Sequence, residues 1–286
     1  IIRNIQRYSS NKKKVITVPN IEALNRSKKE FEKIWLEVWL YYWEEKNLSK
    51  RITIWTTHSL RIALGQWKIH AATFDLMICD EAHEWYLWEK TADFIGQFVC
   101  KKIWYTATPE LRNKSVYELF KEKIDEYLID EAILNKELPQ IDSHIKLQVD
   151  DGQFEKLQVS NGEFTKDSLE KFDVSITFPV ILQALKEWEL KWKQMAIFMP
   201  SVNKSKELNA YLVNNWIVST HIDWETTNRE EVKDEFESRK IQVLVSCDVL
   251  KSSWDSDVID GVIINRPILS PAVYMQMVGR AMHGKE

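Results

Sequence analysis

The chain has 286 residues, of which 44% are hydrophobic and 29% charged, a composition typical of a soluble globular protein with room for two ordinary domains. No apolar run approaches the roughly 18–20 residues that span a bilayer, and no signal peptide opens the chain, so we expect no membrane partner. The net charge of −4 excludes no other partner, because a basic groove can coexist with a mildly acidic whole. The three cysteines, Cys79, Cys100 and Cys247, form neither a metal pair nor a disulfide framework, which predicts a cytoplasmic location.

Apolar runs of strand length alternate with amphipathic segments in the first part of the chain. Four runs are predicted to be buried strands that end in polar residues: 13–19, 51–57, 74–83 and 101–109. Two segments have the spacing of apolar positions that is typical of helices: 20–34 and 112–124. This alternation predicts βαβ units and a parallel sheet.

A second series of the same kind begins near residue 194. Its predicted strands are 194–201, 217–223, 241–248 and 260–267, and its predicted helices are 204–215 and 228–240. The polar stretch between the two series has the composition of a connector with room for a small hairpin. The sequence therefore predicts an α/β protein with two parallel-sheet domains in tandem, residues 1–138 and 176–286, joined by a linker at 139–175.

The third apolar run ends in Asp80-Glu81-Ala82-His83. A pair of carboxylates at the end of a buried strand is what a nucleotide hydrolase needs beside its phosphates. The first acid can hold Mg²⁺, and the second can orient and deprotonate the attacking water. The carboxyl ends of parallel strands are also where working residues gather. A solvated strand end is the alternative interpretation.

Two further motifs follow in the chain. Residues 106–108 read Thr-Ala-Thr after the next predicted strand, where their hydroxyls can join His83 in a hydrogen-bond network. Residues 276–283 read QxxGRxxH, and Arg280 in this motif can stabilise charge on a transferring phosphoryl group. Taken alone, the first motif is also compatible with a polar turn, and Arg280 with a surface ion pair.

The order of these three motifs resembles the superfamily 2 helicases and translocases of the DEAD/DEAH-box type. Among them the chain is most similar to bacterial and phage DEAH proteins related to the translocating subunits of type III restriction enzymes. The resemblance covers nearly the whole chain. It implies two RecA-like lobes with ATP and Mg²⁺ bound between them and nucleic acid bound across their top, and this subfamily favours DNA over RNA.

The resemblance also implies roles for individual residues. It makes Asp80 the Mg²⁺ ligand, Glu81 the catalytic base and Arg280 the finger that stabilises the transferring phosphoryl group. The residues implied to couple the nucleotide site to movement are His83, Thr106, Thr108, Asp255 and Gln276. The residues implied to contact the nucleic-acid backbone are Pro19, Asn20, Thr57, Ser59, Ser201 and Asp248.

The chain departs from the family pattern at three points. The glycine-lysine-threonine phosphate loop is absent from these residues, so we expect an N-terminally truncated fragment that binds ATP poorly by itself. His283 replaces the second arginine of the last motif, and Ser253 replaces a glycine. These departures leave a catalytically inactive, nucleic-acid-binding scaffold as the alternative function. An unrelated two-domain α/β enzyme, such as a sugar-nucleotide transferase, does not explain the motif order. The oligomeric state is not predicted.

Tryptophan is frequent and glycine is rare: the chain has 13 Trp and only 7 Gly. Glycine normally makes up about 7% of a globular protein. Tryptophan stands where the family leads us to expect glycine, or in a loop that would suit it, at positions 43, 55, 85, 88, 104, 216 and 224. Because positive φ suits glycine and penalises tryptophan, we hypothesise that the source genome reads UGA as glycine. Indole packing and stacking platforms for single-stranded bases are the alternatives.

Overall fold

The computed structural model describes residue 5 and residues 12–42, 51–82, 89–106, 110–111, 114–115, 126, 128–140, 151–160, 162–187, 190–252, 256 and 258–282. By its internal contacts the chain divides into two units, Ile1–Ile124 and Asp125–Glu286. The lobe and linker boundaries predicted from the sequence, at 138 and 175, rest on pattern and composition, and they stay a prediction.

A five-stranded parallel sheet forms the centre of the first unit. Its strands are β1 (Lys14–Val18), β2 (Trp39–Tyr41), β3 (Ile52–Thr56), β4 (Leu76–Cys79) and β5 (Lys101–Trp104), in the order β2-β3-β1-β4-β5. All residues of β1 and β4 are buried, which explains why both strands stand out in the sequence as largely apolar runs. The four strands predicted in this part of the chain are confirmed, and β2 is an additional strand.

Helices cover both faces of this sheet. They are α1 (Ile21–Lys33), α2 (Thr57–Gly65) and α3 (Glu89–Gly96). Leu24 and Phe31 of α1 share a buried cluster with Ile16 and Val18 of β1, whereas Leu60 of α2 and Phe94 of α3 share another cluster with Val15. Successive side chains of a strand point to opposite faces, so one strand supplies both cores.

The segment after β5 differs from the sequence prediction. Residues 112–124 were expected to form a helix, but Lys114–Ser115 (β7) pairs antiparallel with Glu110–Leu111 (β6). A short segment gains little from helical spacing alone, because most helix stability in proteins comes from packing of the apolar face. The prediction is therefore wrong at residues 114 and 115, and the residues from 116 to 124 lie outside the described part.

Short elements precede the second sheet. They are α4 (Ile129–Leu134), α5 (Asp151–Phe154), β8 (Val159–Ser160), β9 (Glu163–Phe164) and α6 (Lys166–Lys171). The strands β8 and β9 form an antiparallel hairpin, and Gly162 between them has a φ of 75°, which a glycine adopts without steric cost. A small hairpin thus lies inside the stretch predicted to be a connector.

The second unit repeats the architecture of the first with a four-stranded parallel sheet. Its strands are β10 (Met195–Phe198), β11 (Ser219–Ile222), β12 (Val243–Ser246) and β13 (Gly261–Ile264), in the order β11-β12-β10-β13. Its helices are α7 (Phe178–Lys186), α8 (Val202–Asn214), α9 (Arg229–Glu237), α10 (Val249–Ser252) and α11 (Pro271–Val278). The strands and helices predicted here are confirmed, and with them the α/β fold with two RecA-like parallel-sheet domains.

Alternate residues of β10 face two separate cores in this unit. Ile197 packs in a buried cluster with Leu185 of α7 and Leu208 of α8, whereas Phe198 packs with Phe236 of α9 and Met277 of α11. Each core therefore rests on one face of the sheet, and the strand ends stay open for polar residues. None of the helices in the described part of the chain has the length and hydropathy required to span a bilayer.

Candidate active site

The acidic turn after β4 is held by backbone hydrogen bonds from both sides. The Asp80 N–H donates to the Thr17 carbonyl of β1 at 2.9 Å, and the Ala82 N–H donates to the Tyr105 carbonyl at 2.9 Å. Because Tyr105 directly follows β5, the turn is fixed at the carboxyl edge of the sheet between two neighbouring strand ends. The two predicted acids, Asp80 and Glu81, therefore lie where parallel α/β sheets place their working residues.

Asp80 lies in an environment that disfavours its charge. Burial of the carboxyl group raises its pKa, and the charge of Glu81 raises it further. The Glu81 N–H, which donates to Asp80 Oδ1 at 3.1 Å, and the charge of Arg26 lower the pKa without cancelling this effect. A nearby dication would favour the ionised carboxylate, and Mg²⁺ prefers carboxylate oxygens. The donor group at this turn thus fits Mg²⁺.

Glu81 adopts a strained backbone conformation. Its φ is 50°, in the left-handed region, which costs a residue with a Cβ roughly 1 kcal/mol or more. Strained residues of this kind concentrate at active sites, where the surrounding structure holds them in place. The hydrogen bonds of Asp80 and Ala82 on either side supply that support here.

Among the described residues, Asp80 is not part of a complete set of protein ligands for a metal ion. Within the described ranges, no group of three or more His, Cys, Asp and Glu side chains could hold a metal ion. Mg²⁺ commonly uses one or two carboxylates and completes its shell with water and substrate phosphates. Asp80 therefore suits a magnesium ion that is bound together with a nucleotide.

The helix N-termini of the first unit lie at the same sheet edge. Asn20 directly follows β1 and Pro19, and its Oδ1 accepts the N–H of Ala23 at 2.8 Å, which caps α1. At α2 the capping residue is Thr56, whose Oγ1 accepts the N–H of Ser59 at 3.2 Å. The remaining N–H groups of the first helical turns have no partner within their own helix and are suited to bind phosphate oxygens.

The structure places the other predicted nucleic-acid residues of this unit differently. Thr57 is buried and its hydroxyl donates to the Val18 carbonyl at 3.4 Å, so its side chain joins β1 to α2. Ser59 is partly buried and its Oγ accepts the Thr56 hydroxyl at 2.8 Å. Sequence reasoning missed Thr56, although a threonine before the first apolar residues of a helix is a recognisable capping signal.

Thr106 lies two residues beyond β5, next to the strand end that receives the acidic turn. Three residues predicted to act with it, His83, Thr108 and Asp255, lie outside the described residues, as do His283 and Ser253. Thr106 and the acids are therefore at one edge of one sheet. The predicted coupling network as a whole stays a prediction.

Ser201 occupies in the second unit the position that Asn20 occupies in the first. It follows β10, and its Oγ accepts the Lys204 N–H at 3.2 Å, capping α8. The sequence-predicted residue Asp248 follows β12, the neighbouring strand. The Met199 N–H donates to the Ser246 carbonyl at 2.8 Å, so these two strand ends are directly joined.

Asp248 forms an ion pair that the sequence did not reveal. Its Oδ1 accepts from Arg266 Nη1 at 3.0 Å, and the same Nη1 donates to the Cys247 carbonyl at 3.0 Å. The Arg266 side chain is only 7% exposed and the Asp248 side chain 36%, so a buried guanidinium joins the ends of β12 and β13 through a partly exposed carboxylate. Because a carboxylate repels phosphate, this arrangement suits Asp248 to position the strand end. The sequence feature that could have indicated this pair is an arginine after a predicted strand, in Asn265-Arg266-Pro267.

The last predicted motif is split over two elements. Gln276 lies on α11, which Ser270 caps and which begins at Pro271, and Arg280 lies in a 3₁₀ turn at Gly279–Ala281. Both side chains are partly buried. Gln276 and Arg280 are thus four positions apart in sequence and share one helix end.

A polar network at the end of β11 was also missed. His221 Nε2 lies 3.0 Å from Asp223 Oδ2, and His221 Nδ1 lies 2.9 Å from the Ser205 hydroxyl of α8. Asp223 Oδ1 accepts the Thr226 hydroxyl and the Glu225 N–H, both at 3.0 Å. Burial opposes ionisation of Asp223, but these hydrogen bonds outweigh it and lower its pKa far below the ordinary value.

Two family descriptions match the chain, one in each half. Residues 1–111 match the type III restriction enzyme res subunit, and residues 177–285 match the helicase conserved C-terminal domain. The matched ranges contain every one of the predicted site residues, and together they cover more than half of the chain. The chain belongs to the superfamily 2 helicases. No curated protein sequence matches it.

Solved structures show the same fold as this helicase core at low sequence identity. A fragment of a putative HsdR subunit of a type I restriction enzyme from Vibrio vulnificus has a TM-score of 0.65 at 15% identity, over 96% of this chain and 50% of that one. The Hef helicase domain of Pyrococcus furiosus has a TM-score of 0.55 at 12% identity, over 98% and 85%. S. cerevisiae Dbp5, bound to RNA and ADP BeF3, has a TM-score of 0.54 at 14% identity, over 96% and 70%.

The Asp223 network predicts a pH-dependent stability of the second unit of the helicase core. We expect Asp223→Ala to destabilise this unit by about 2–3 kcal/mol at neutral pH, since buried donors lose their acceptor. The folded-state pKa is lowered, so the contribution is present above the ordinary carboxyl pKa of 3.8 and is lost as the pH falls below it. Urea unfolding at neutral and acidic pH measures both effects.

Asp223→Asn is the matched control, because the amide keeps the volume and one acceptor oxygen. It should lose only part of the stability that the alanine variant loses. An Asp223→Ala difference that persists unchanged below pH 3.8 would show that the stabilisation does not come from the ionised carboxylate.

Proposed function

We propose that the full-length protein is an ATP-dependent DNA helicase or translocase. A nucleic-acid-acting ATPase is what membership of the helicase family supports in general. The observation that carries the proposal is the placement of Asp80 and Glu81 at one sheet edge with the N-termini of α1 and α2. Groups suited to bind nucleic-acid phosphates, to hold a metal ion and to accept a proton then lie along one edge of the sheet.

In this proposal the chain supplies three catalytic groups. Asp80 would hold Mg²⁺, which neutralises charge on the phosphates when it is bound. Glu81 orients the attacking water and accepts its proton at the carboxylate oxygen. Arg280 donates hydrogen bonds to the transferring phosphoryl group and stabilises the charge that develops there. The role of a coupling network is assigned to His83, Thr106, Thr108, Gln276 and Asp255.

Nucleic-acid contacts are proposed at the helix N-termini that Asn20, Thr56 and Ser201 cap. The side-chain oxygens already accept helix N–H groups, so the unpaired N–H groups and the positive ends of the helix dipoles would bind backbone phosphates. Such contacts position a strand without reading its sequence. Pro19, Thr57 and Ser59 support the helix N-termini of the first unit by shaping the turns beside them, and Asp248 supports that of the second unit by fixing a strand end.

DNA is proposed over RNA because the matching family description of the first half is that of a restriction enzyme subunit. A cytoplasmic location is proposed because Cys79, Cys100 and Cys247 are all free thiols. The domain division into 1–138, 139–175 and 176–286 belongs to the same proposal. A scaffold without turnover is the second candidate, and the observation that favours it is His283 in place of the second arginine of the last motif.

ATP hydrolysis by the full-length protein tests the proposal. We expect hydrolysis that requires Mg²⁺ and is stimulated by DNA more strongly than by RNA of matched length. Stimulation by RNA alone would contradict the DNA assignment. Nucleic-acid binding without any hydrolysis, in the presence of Mg²⁺ and an intact phosphate loop, would instead establish the scaffold.

Asp80→Asn gives a prediction that separates function from stability. The variant should lose Mg²⁺-dependent hydrolysis, yet without Mg²⁺ at neutral pH it should be more stable than the wild type by on the order of 1 kcal/mol. Because the folded-state pKa of Asp80 is raised, its carboxyl group ionises at a cost to the fold, and stability falls as the pH rises from the ordinary value through the folded-state pKa. The asparagine amide does not ionise, so the variant avoids this loss.

Thermal unfolding in a chelator, at neutral pH and below the ordinary pKa of 3.8, measures the predicted gain and its disappearance at low pH. The exposed residue Asp93 on α3 provides the matched control, because Asp93→Asn removes the same charge outside the site. A loss of stability in Asp80→Asn at neutral pH would contradict the electrostatic description of this turn.

A further inference from the structure

Four tryptophans adopt a backbone conformation that suits glycine. The φ angles are 59° at Trp35, 59° at Trp67, 73° at Trp192 and 68° at Trp216. In the part of the chain that the structure describes, tryptophan accounts for four of the seven non-glycine residues with positive φ. Positive φ is uncommon for residues with a Cβ, and the residues that tolerate it best are asparagine, aspartate and histidine.

Three of these tryptophans follow helices in the hydrogen-bond pattern of the Schellman motif. In this motif the residue after the C-cap is left-handed and most often glycine. The N–H of the tryptophan donates three residues back, and the next N–H donates five residues back. The bonds are Trp35 to Glu32 at 3.0 Å and Leu36 to Phe31 at 3.1 Å, Trp67 to Leu64 at 3.0 Å and Lys68 to Ala63 at 2.9 Å, and Trp216 to Val213 at 3.1 Å and Ile217 to Leu212 at 3.0 Å.

The same motif ends two further helices, at Lys136 after α4 and Arg239 after α9. Among the described helices, therefore, five end in this pattern, and none of the five has glycine at the left-handed position. A protein with an ordinary share of glycine places it at such positions first, because glycine pays no steric cost there.

The four indoles are also largely exposed and gain little from burial. Trp35 and Trp216 are 94% exposed, Trp67 is 81% exposed and Trp192 is 75% exposed. A buried aromatic ring is a large source of stabilisation, and an exposed one is not. Neither backbone conformation nor burial therefore gives a physical reason for tryptophan at these four positions.

Trp55 is one of the positions at which glycine was expected from the sequence, yet its surroundings are those of a well-placed tryptophan. It is fully buried in β3, its Nε1 donates to the Thr53 hydroxyl at 2.9 Å, and its ring stacks on Tyr41 with a centroid distance of 3.5 Å. Its φ is not positive. Trp104 of β5 and Trp224 have no positive φ either, and Trp43, Trp85 and Trp88 lie outside the described residues.

We propose that residues 35, 67, 192 and 216 are glycine in the protein that the source organism makes, because their UGA codons are read there as glycine. The left-handed backbone marks these four positions independently of the composition, which shows 13 Trp against 7 Gly. Three of the four were not among the positions singled out from the sequence. The proposal concerns decoding, and it does not depend on the helicase function.

The direct test combines the gene with the peptide. We expect UGA at these four codons in the source genome, and glycine at the four positions in peptides of the native protein analysed by mass spectrometry. UGG at a position, or a tryptophan-containing peptide from a UGA codon, overturns the proposal for that position. The buried Trp55 serves as the comparison site, since its codon has no conformational reason to be UGA.

The biophysical test compares glycine with alanine at the same site in the full chain. Trp216→Gly removes both the indole and the Cβ, whereas Trp216→Ala removes the indole and keeps the Cβ. The glycine variant should exceed the alanine variant in its folding equilibrium constant by roughly fivefold to thirtyfold. Equal stabilities, or a wild type more stable than both variants, would overturn the proposal.

Two controls complete this test. Arg239→Gly against Arg239→Ala shows that the assay detects left-handed strain, since Arg239 has a φ of 61°. Residue 224 does not have a positive φ, so Trp224→Gly should be no more stable than Trp224→Ala. Single-stranded DNA binding should be unchanged in the glycine variants. A tenfold loss would assign the exposed indoles to base stacking and overturn the decoding proposal.

Discussion

Replacing Glu81 by glutamine in the full-length protein is expected to reduce ATP hydrolysis by roughly a thousandfold while leaving ATP binding within about threefold of the wild type. Glutamine has the size of glutamate and keeps the Cβ, so the left-handed backbone at φ 50° is equally strained in both proteins. What is lost is the carboxylate that accepts the proton from water. Phosphate release and equilibrium binding of a fluorescent ATP analogue measure the two effects separately.

Glu230→Gln is the matched control for this experiment, because Glu230 is an exposed acid in the first turn of α9 and loses the same charge. Its hydrolysis rate should stay at the wild-type level. Wild-type turnover in Glu81→Gln would show that another group accepts the proton, and the assignment of Glu81 as the base would be wrong.

The second large effect is expected at Arg280. We predict that Arg280→Ala lowers kcat for ATP hydrolysis by about a thousandfold, with KM changed far less, because a finger arginine stabilises charge that develops only in the transition state. Arg280→Lys should recover only a small part of the activity, since a lysine keeps the charge and loses the planar pair of donors. Steady-state kinetics at saturating DNA measure both variants.

Arg239→Ala provides the control, because Arg239 is a half-exposed arginine in the same unit that pairs with Asp260 at 3.8 Å. It should leave kcat unchanged. If Arg280→Ala hydrolyses ATP at the wild-type rate, the charge is stabilised elsewhere and the motif with His283 has lost its catalytic role. If both kcat and the fold are lost, unfolding measurements on Arg280→Lys separate the two causes.

The sequence was sufficient to locate the acidic turn, and the reason is local. Four consecutive apolar residues, Leu76 to Cys79, favour a buried strand, and the acids that follow them mark its end. The parallel sheet then follows from the alternation of strand-like and helix-like segments. The family resemblance, in turn, pointed to Asn20 and Ser201, which lie two and three residues beyond the ends of β1 and β10.

The partners of the site residues were beyond the sequence. Nothing local shows that Asp248 pairs with Arg266, because these residues lie 18 positions apart and meet only where β12 and β13 end near each other. Asp223 and Ser205 likewise meet through His221 after α8 and β11 have packed together. Long-range pairs of this kind depend on strand order, which apolar periodicity does not encode.

Two adjacent threonines show that the sequence also does not distinguish the roles of neighbouring residues. Thr56 and Thr57 are adjacent and chemically identical, yet Thr56 caps α2 and Thr57 bonds to the Val18 carbonyl in the interior. Successive residues at the end of a strand point in opposite directions, so one position decides which hydroxyl faces the helix N-terminus. The predicted helix at 112–124 failed for a related reason, because pairing with residues 110–111 decided the backbone at 114–115.

By itself, the sequence determined the α/β fold, the family and the position of the acidic turn, since apolar burial and strand-end motifs depend on short stretches of residues. The tertiary structure alone decided which side chains neutralise one another and which residues take left-handed backbone. Trp35, Trp67 and Trp192 became conspicuous only when their φ angles were known. A backbone angle is set by the hydrogen bonds that close a helix end and by the packing that follows it, and neither can be read from residue identity.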